Sequence, residues 1–497
     1  MRAPRASRWE VAAWTAVALI FTARLIAALR IPLTGDEAYY WEWSLRPAGA
    51  YYDHPGGVAW VIALFDHGPR NVALVRLGFL ACGAGATLWL ADFAAQIAHD
   101  RRAAAAAALL LNLAPLLTIG VAVASPDAPY LLCWCAALAL GKRAFDRGSW
   151  WWGGFGLAVA GAVESRLLGF ALVLAVLLAV WGELRLRRRL AGGWWMAPVA
   201  FAAGCVPLVA WNAAHEWVTL TFALVGRHVD EGLSAGRVIG YLLLAALVLG
   251  PGCAVAALWA AVQARRARTA WGRLAFWSAL PTFAVIVLLG AFERVEVYWL
   301  YGPYVALIGV AAALAVKLPW RRAAWVWVIV PSAILLTPLL LAASAPSLTV
   351  AASIHALGHR LRNNGPFEIF TYPALAHDVA AEAARSAATV ATDGYGLSSL
   401  LDFYGGVPPV VIGYDRQGRQ ARTWFDHDAS PREILFVDKE PLSTRPDFAA
   451  RFARACARVE DDGLRLYDYE GVPARAYYLT KCLEPRRGAL RILLWQE

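Results

Sequence analysis

Apolar runs near 20 residues long recur through the first two thirds of the chain, separated by short polar loops, and then stop. Eleven runs stand out, at about 9–29, 71–97, 103–122, 128–142, 150–163, 167–183, 194–212, 236–262, 272–290, 298–316 and 322–344. Runs of this length predict helices that cross a lipid bilayer. Those at 128–142 and 150–163 are short, so they would stand nearly upright or thin the bilayer. Beyond 344 the pattern changes. Strand-like runs follow at EIFTY (368–372), TVATD (389–393), PPVVIGY (408–414), EILFVD (433–438) and LRLYDY (464–469), with helical periodicity at 374–387 and 447–459. Strands alternating with helices predict a small α/β domain. The expected fold is a polytopic α-helical membrane protein with about 11 transmembrane helices in residues 1–344, followed by a soluble α/β domain at 345–497.

Charge gives this pattern an orientation. Basic residues fall in alternate loops, HDRR (99–102), GKRAFDR (141–147), ELRLRRR (183–189), QARRARTAWGR (263–273) and KLPWRR (317–322), and in the leading MRAPRASR. The positive-inside rule assigns these to the cytoplasm. The basic start is like that of a signal peptide, but its apolar run is long and an acidic motif follows at once, which predicts an uncleaved anchor. An odd number of spans then puts 345–497 outside. The chain is 60% hydrophobic and only 16% charged, against about 25% charged in soluble domains. Its net charge of +10 would suggest nucleic acid in a soluble protein. Here the cations sit in loops that orient helices, so no nucleic-acid partner is expected. Among seven cysteines none has metal-site spacing; Cys82, Cys133, Cys135, Cys205 and Cys253 lie in apolar runs as small core residues. Cys456 and Cys482 lie in the polar tail and could bridge only outside the cytoplasm.

The remaining loops carry the chemistry. They read GDEAYYWEWSLRPAGAYYDHPGG (35–57, within an external loop at 30–70), SPDAP (125–129), ESR (164–166), NAAHEW (212–217) and ERVEVYW (293–299). All five fall on the non-cytoplasmic face, so acids, histidines and an arginine from separate loops share one side of the membrane. A transporter more often places ionisable groups near the midplane on broken helices, and the sequence has no visible inverted repeat. Groups at one face, beside lipid, fit chemistry on a lipid-linked substrate. The alternative from another class is a non-enzymatic prenyl-phosphate or glycolipid transporter.

The first of these motifs resembles the first external loop of bacterial membrane glycosyltransferases of the protein-mannosyltransferase-like superfamily, which have the GT-C fold. The aminoarabinose-to-lipid-A transferases and the lipopolysaccharide galacturonosyltransferases are similar. SPDAP, ESRLLGFAL, WNAAHEWVTLTF, VEVYWLYGPY and, in the tail, TDGYGLSSLLDFYGGVPPVV continue the resemblance in order. It implies an inverting transferase that moves a sugar from a polyprenyl-phosphate donor to a lipid A, glycan or protein acceptor, at the periplasmic face of a bacterial inner membrane. It also implies roles. Asp36 matches the essential acid of the first loop and Asp127 the acid of the second external loop, a supporting acid; Glu37, off the Asp36–Tyr40–Trp43 helix face, is expected as a further catalytic acid in support. His54 and Arg166 fall where relatives hold donor phosphate, although ESR departs from the lysine-bearing wording usual there. Tyr298 falls in the tyrosine-tryptophan pair that faces the substrate cavity; Tyr39 and Tyr40 are expected there too, since aromatic faces stack on sugars and cover prenyl chains. Asp53 and His215 match positions that share a divalent ion in some relatives, and oxygen with imidazole suits Zn²⁺ or Mn²⁺.

Each residue also has a plainer reading. Asp36 and Asp127 could cap helices, since Asp is a favoured N-cap. Asp53-His54-Pro55 could be an ordinary turn, and Glu164 could pair with Arg166 between two spans. His215 could be an interface histidine. Trp and Tyr collect at membrane interfaces whatever the function.

Overall fold

The computed structural model describes residues 7–185, 192–226, 232–318, 321–345, 367–413 and 419–494. Most of the ELRLRRR loop and the 346–366 junction lie outside these residues. The chain divides into two compact units. One gathers residues 1–29, 47–65 and 76–344; the other gathers 30–46, 66–75 and 345–497. The loop expected at 30–70 is thus split, its DEAYYWEW half in the second unit and its YYDHP half in the first.

The first unit is helical. Among the described residues, Arg8–Arg30, Val72–Ala98, Ala270–Phe292 and Val297–Ala315 are each long and apolar enough to cross a bilayer. Two further runs are bent pairs, Met196–Gly204 with Val206–Ala214 at 44° and Ala235–Leu249 with Pro251–Arg266 at 105°. The second bend has a local cause. Gly250 takes φ +88° and Pro251 follows without an N–H, so the helix ladder cannot continue. The run at 236–262 is therefore two helices rather than one straight span. The run at 103–122 likewise breaks before Pro115, giving Arg101–Leu113 and Pro115–Gly120. By length and composition the described helices supply four spans, or six if each bent pair counts as one; eleven remains the sequence's expectation.

The second unit is an α/β layer structure. Its five strands are β1 (Thr389–Thr392), β2 (Val410–Val411), β3 (Glu433–Asp438), β4 (Cys456–Tyr469) and β5 (Val472–Pro485), in the order β2-β1-β3-β5-β4. β1 runs parallel to β2 and β3, and β5 pairs antiparallel with β3 and β4. Successive side chains of β3 face opposite sides. Ile434 and Phe436 pack with Phe448, Phe452 and Leu490, while Leu435 and Val437 pack with Leu375, Val379, Leu401 and Tyr477. Both faces are covered, which is why EILFVD is a continuous apolar run. Cys456 and Cys482 form a disulfide between β4 and β5.

Two tail expectations are corrected. EIFTY is not a strand: Glu368–Thr371 is a 3₁₀ turn leading into the helix Tyr372–Ser386. Pro373 favours the first turn of a helix, and Phe370 stacks on Tyr469 at 4.2 Å, so packing overrides the strand propensity of Ile369 and Phe370. The helix expected at 447–459 ends at Ala455, where β4 begins.

Candidate active site

In the second unit, the acid of the opening motif starts the helix Gly35–Ser44. Thr34 is its N-cap: the Glu37 backbone N–H donates to the Thr34 hydroxyl at 3.3 Å, and the Thr34 N–H donates to the Glu37 carboxylate at 3.0 Å. This is a capping box. It corrects the plain reading of Asp36 as the cap, and it gives fully buried Glu37 a structural task. Asp36 is exposed, and its Oδ1 accepts a hydrogen bond from the Tyr395 hydroxyl at 2.7 Å. Tyr39 and Tyr40 are only 1% and 8% exposed. Tyr39 packs between Trp43, at 4.8 Å, and Tyr395, at 4.5 Å.

The rest of this helix lies along a second helix of the same unit, Tyr395–Gly405. The two begin at a glycine pair: a Cβ on Gly35 would come within 2.9 Å of the Gly396 Cα. The Leu33 N–H donates to the Tyr404 hydroxyl at 2.7 Å, and Trp41 meets Phe403 edge-on at 5.0 Å. The Arg70 guanidinium pairs with Asp402 at 3.0 Å and lies over Trp41 at 5.5 Å. Glu42 is buried in this contact. Burial, and then the charge of Asp402, push its carboxyl up to about 8 despite the opposing effects of Ser399 and Arg46.

In the first unit, residues 50–55 form a tight turn. Ala50 bridges Pro55, and the Tyr51 N–H donates to the His54 carbonyl at 2.9 Å. Asp53 is buried at its tip and His54 half-buried. The Thr219 hydroxyl donates to the Tyr51 carbonyl at 2.7 Å, fixing the turn from outside. Asp127 lies in the first turn of the helix Asp127–Arg147, whose N-cap is Pro126, so it too is not a cap. Its carboxylate forms a buried ion pair with Arg166, the C-cap of Trp151–Ser165. The Arg166 guanidinium lies 4.8 Å above the Tyr298 ring. Glu164 has a different partner from the one considered: its Oε1 accepts from the Leu208 N–H at 3.1 Å. Arg166, Asp127 and Tyr298, drawn from three loops, thus form one cluster. A guanidinium is a planar fork of N–H donors, whose geometry suits carboxylates and phosphate oxyanions alike.

His215 is exposed. Its ring stacks on Trp211 at 3.9 Å and its Nδ1 lies 2.7 Å from the Trp211 carbonyl. Among the described residues no three His, Cys, Asp or Glu side chains converge as a metal site. Among the described residues, neither Asp53 nor His215 belongs to such a group.

Residues 53–211 match the sequence family described as dolichyl-phosphate-mannose-protein mannosyltransferase. That stretch includes Asp53, His54, Asp127 and Arg166. No curated protein sequence matches the chain significantly. Among solved structures, ArnT from Cupriavidus metallidurans bound to undecaprenyl phosphate matches at TM-score 0.64 and 16% identity, over 99% of this chain and 100% of that one. The chain has the ArnT fold. The apo state of ArnT matches at TM-score 0.63 and 17% identity, over 98% of this chain and 99% of that one. An oligosaccharyltransferase from Archaeoglobus fulgidus in complex with Zn and sulfate is more distant, at TM-score 0.45 and 13% identity, over 87% of this chain and 69% of that one; it is too unlike to inform the question of metal here.

The ArnT fold bears out the GT-C architecture expected from the motifs. It does not assign side-chain roles. Sequence reasoning also passed over Tyr395, Glu42 and Asp402. Tyr395 and Asp402 lie in TDGYGLSSLLDFYGG and Glu42 in GDEAYYWEW, both motif segments, but nothing in the sequence says which of their residues meet.

Proposed function

We propose that the chain is an integral-membrane glycosyltransferase. It takes a sugar from a polyprenyl-phosphate donor and gives it to a lipid, glycan or protein acceptor at the outer face of the plasma membrane, in envelope modification. The observation that carries this reading is Asp36: an exposed carboxylate, relieved of capping by Thr34 and Glu37, in the motif whose resemblance implies the essential acid of such enzymes. The ArnT fold and the family match over 53–211 support it. Basic loops on one side, and a disulfide that belongs in an oxidising compartment, support an extracytoplasmic tail.

In this reading the acceptor oxygen attacks the anomeric carbon as the bond to the donor phosphate breaks, inverting the centre. The phosphate leaves with the electron pair. Asp36 takes the acceptor proton if the acceptor is a hydroxyl, and orients the acceptor if it is a phosphate. Asp127 is a supporting acid that fixes Arg166; Arg166 and His54 meet the charge growing on the leaving phosphate. Glu37 keeps its role as cap. Tyr298 offers an aromatic face beside Arg166. The test is transfer of labelled sugar by purified protein in detergent, from a panel of undecaprenyl-phosphate-linked sugars to membrane lipid extract. Label appearing on an acceptor supports the reading. Movement of the labelled donor across vesicles, with no transfer, would instead identify a transporter.

A further inference from the structure

The hydrogen bond between Asp36 and Tyr395 has no structural task to explain it. The helix Gly35–Ser44 is already capped by Thr34 and Glu37. It is already docked by the Gly35–Gly396 approach, by Leu33 on Tyr404, by Trp41 on Phe403 and by Arg70, which pairs with Asp402 and lies over Trp41. The Tyr395 ring would pack on Tyr39 at 4.5 Å without its hydroxyl. A bond to an exposed carboxylate also adds little to stability, because water competes for both groups. What the hydroxyl does supply is direction. A carboxylate turns about a broad, two-fold torsion, and one donor 2.7 Å from Oδ1 selects one setting. Among the described residues Oδ2 then has no partner and stays open to an acceptor proton. The backbone contact at the glycine pair sets the spacing that makes this bond possible.

We propose that Tyr395 is the positioning residue of Asp36, so that the tail contributes a working part of the first-loop acid's chemistry. The inference rests on the function proposed above. Tyr395 acts through Asp36 and does not itself meet the reacting atoms. The experiment is made on the full-length protein in detergent, with the undecaprenyl-phosphate-linked sugar panel and membrane lipid extract as probes. Tyr395→Phe should lower kcat about tenfold, leave KM for the donor within about twofold, and melt like the parent. In an Asp36→Asn background the same change should alter kcat less than about twofold, because the residue it works through is already disabled. Tyr404→Phe is the control: it removes a hydroxyl bond on the same helix without touching Asp36, and should keep the parental kcat per folded molecule. Parental kcat in Tyr395→Phe overturns the inference and leaves the function standing. So does an equal loss in the Asp36→Asn background, or an equal loss in Tyr404→Phe. A parent that transfers no sugar overturns both.

Discussion

Replacing Glu42 by glutamine should remove a pH dependence from the stability of the α/β unit. Glu42 is 5% exposed, and burial together with Asp402 raises its carboxyl from the ordinary 4.5 to about 8. Between those values the folded chain keeps a proton that the unfolded chain has lost. Stability from this group is therefore fully present below pH 4.5 and falls as pH rises through about 8. At 1.36 kcal/mol per pKa unit, the loss is on the order of 4–5 kcal/mol. Glutamine keeps the shape and cannot ionise, so Glu42→Gln should match the parent near pH 5 and gain on it steadily up to about pH 8, where the difference levels off. Other titrating groups are common to both proteins and cancel in the difference. Melting curves from pH 5 to 9, with hydrogen exchange over residues 30–46 as a local probe, would measure it. Parallel curves across that range would refute the reasoning, because they would mean that Glu42 ionises alike in the folded and unfolded chains.

Two further outcomes follow from the same unit. Gly35→Ala would drive a Cβ to 2.9 Å from the Gly396 Cα, a backbone clash expected to cost about 1–3 kcal/mol. Gly396→Ala meets its nearest neighbour at 3.4 Å and should be tolerated or gain up to about 1 kcal/mol from helix propensity; equal melting shifts for the two variants would contradict the glycine account. Replacing Cys456 and Cys482 together by serine opens a link 26 residues apart, worth about 3–4 kcal/mol by loop entropy; an unchanged melting temperature would show that the bridge is not formed in the protein.

The sequence was most legible where one pattern had one cause. Apolar runs become helices, and EILFVD becomes β3 because both of its faces are buried. It misled where a local break outweighed the pattern, as at Gly250-Pro251, and where packing outweighed propensity, as at Ile369 and Phe370. Most of β4 went unseen because residues 457–461 are exposed on an edge strand and Arg458, Glu460 and Asp461 leave no buried alternation to read. β5 was missed because Arg475 and Lys481 interrupt its apolar positions. In the candidate site, the sequence named Asp127 and Arg166 separately but did not pair them. It offered Asp36 as a cap because Asp suits that place, whereas Thr34 with Glu37 three residues on is the stronger capping box. Tyr395 lies 359 residues from Asp36, and no local rule links residues so far apart.

The account stands most directly on the charge of Asp36. Asp36→Asn removes that charge and keeps the shape, and the cap at Thr34 is untouched. The decisive measurement is the single-turnover rate of sugar transfer by this variant, beside its melting temperature, in the purified full-length protein. With a hydroxyl acceptor, loss of a general base costs typically 10²–10⁴-fold in rate, so transfer to it should fall at least about 100-fold while melting stays parental. Transfer at close to the parental rate would contradict the central claim and leave Asp36 as a surface carboxylate bonded to Tyr395.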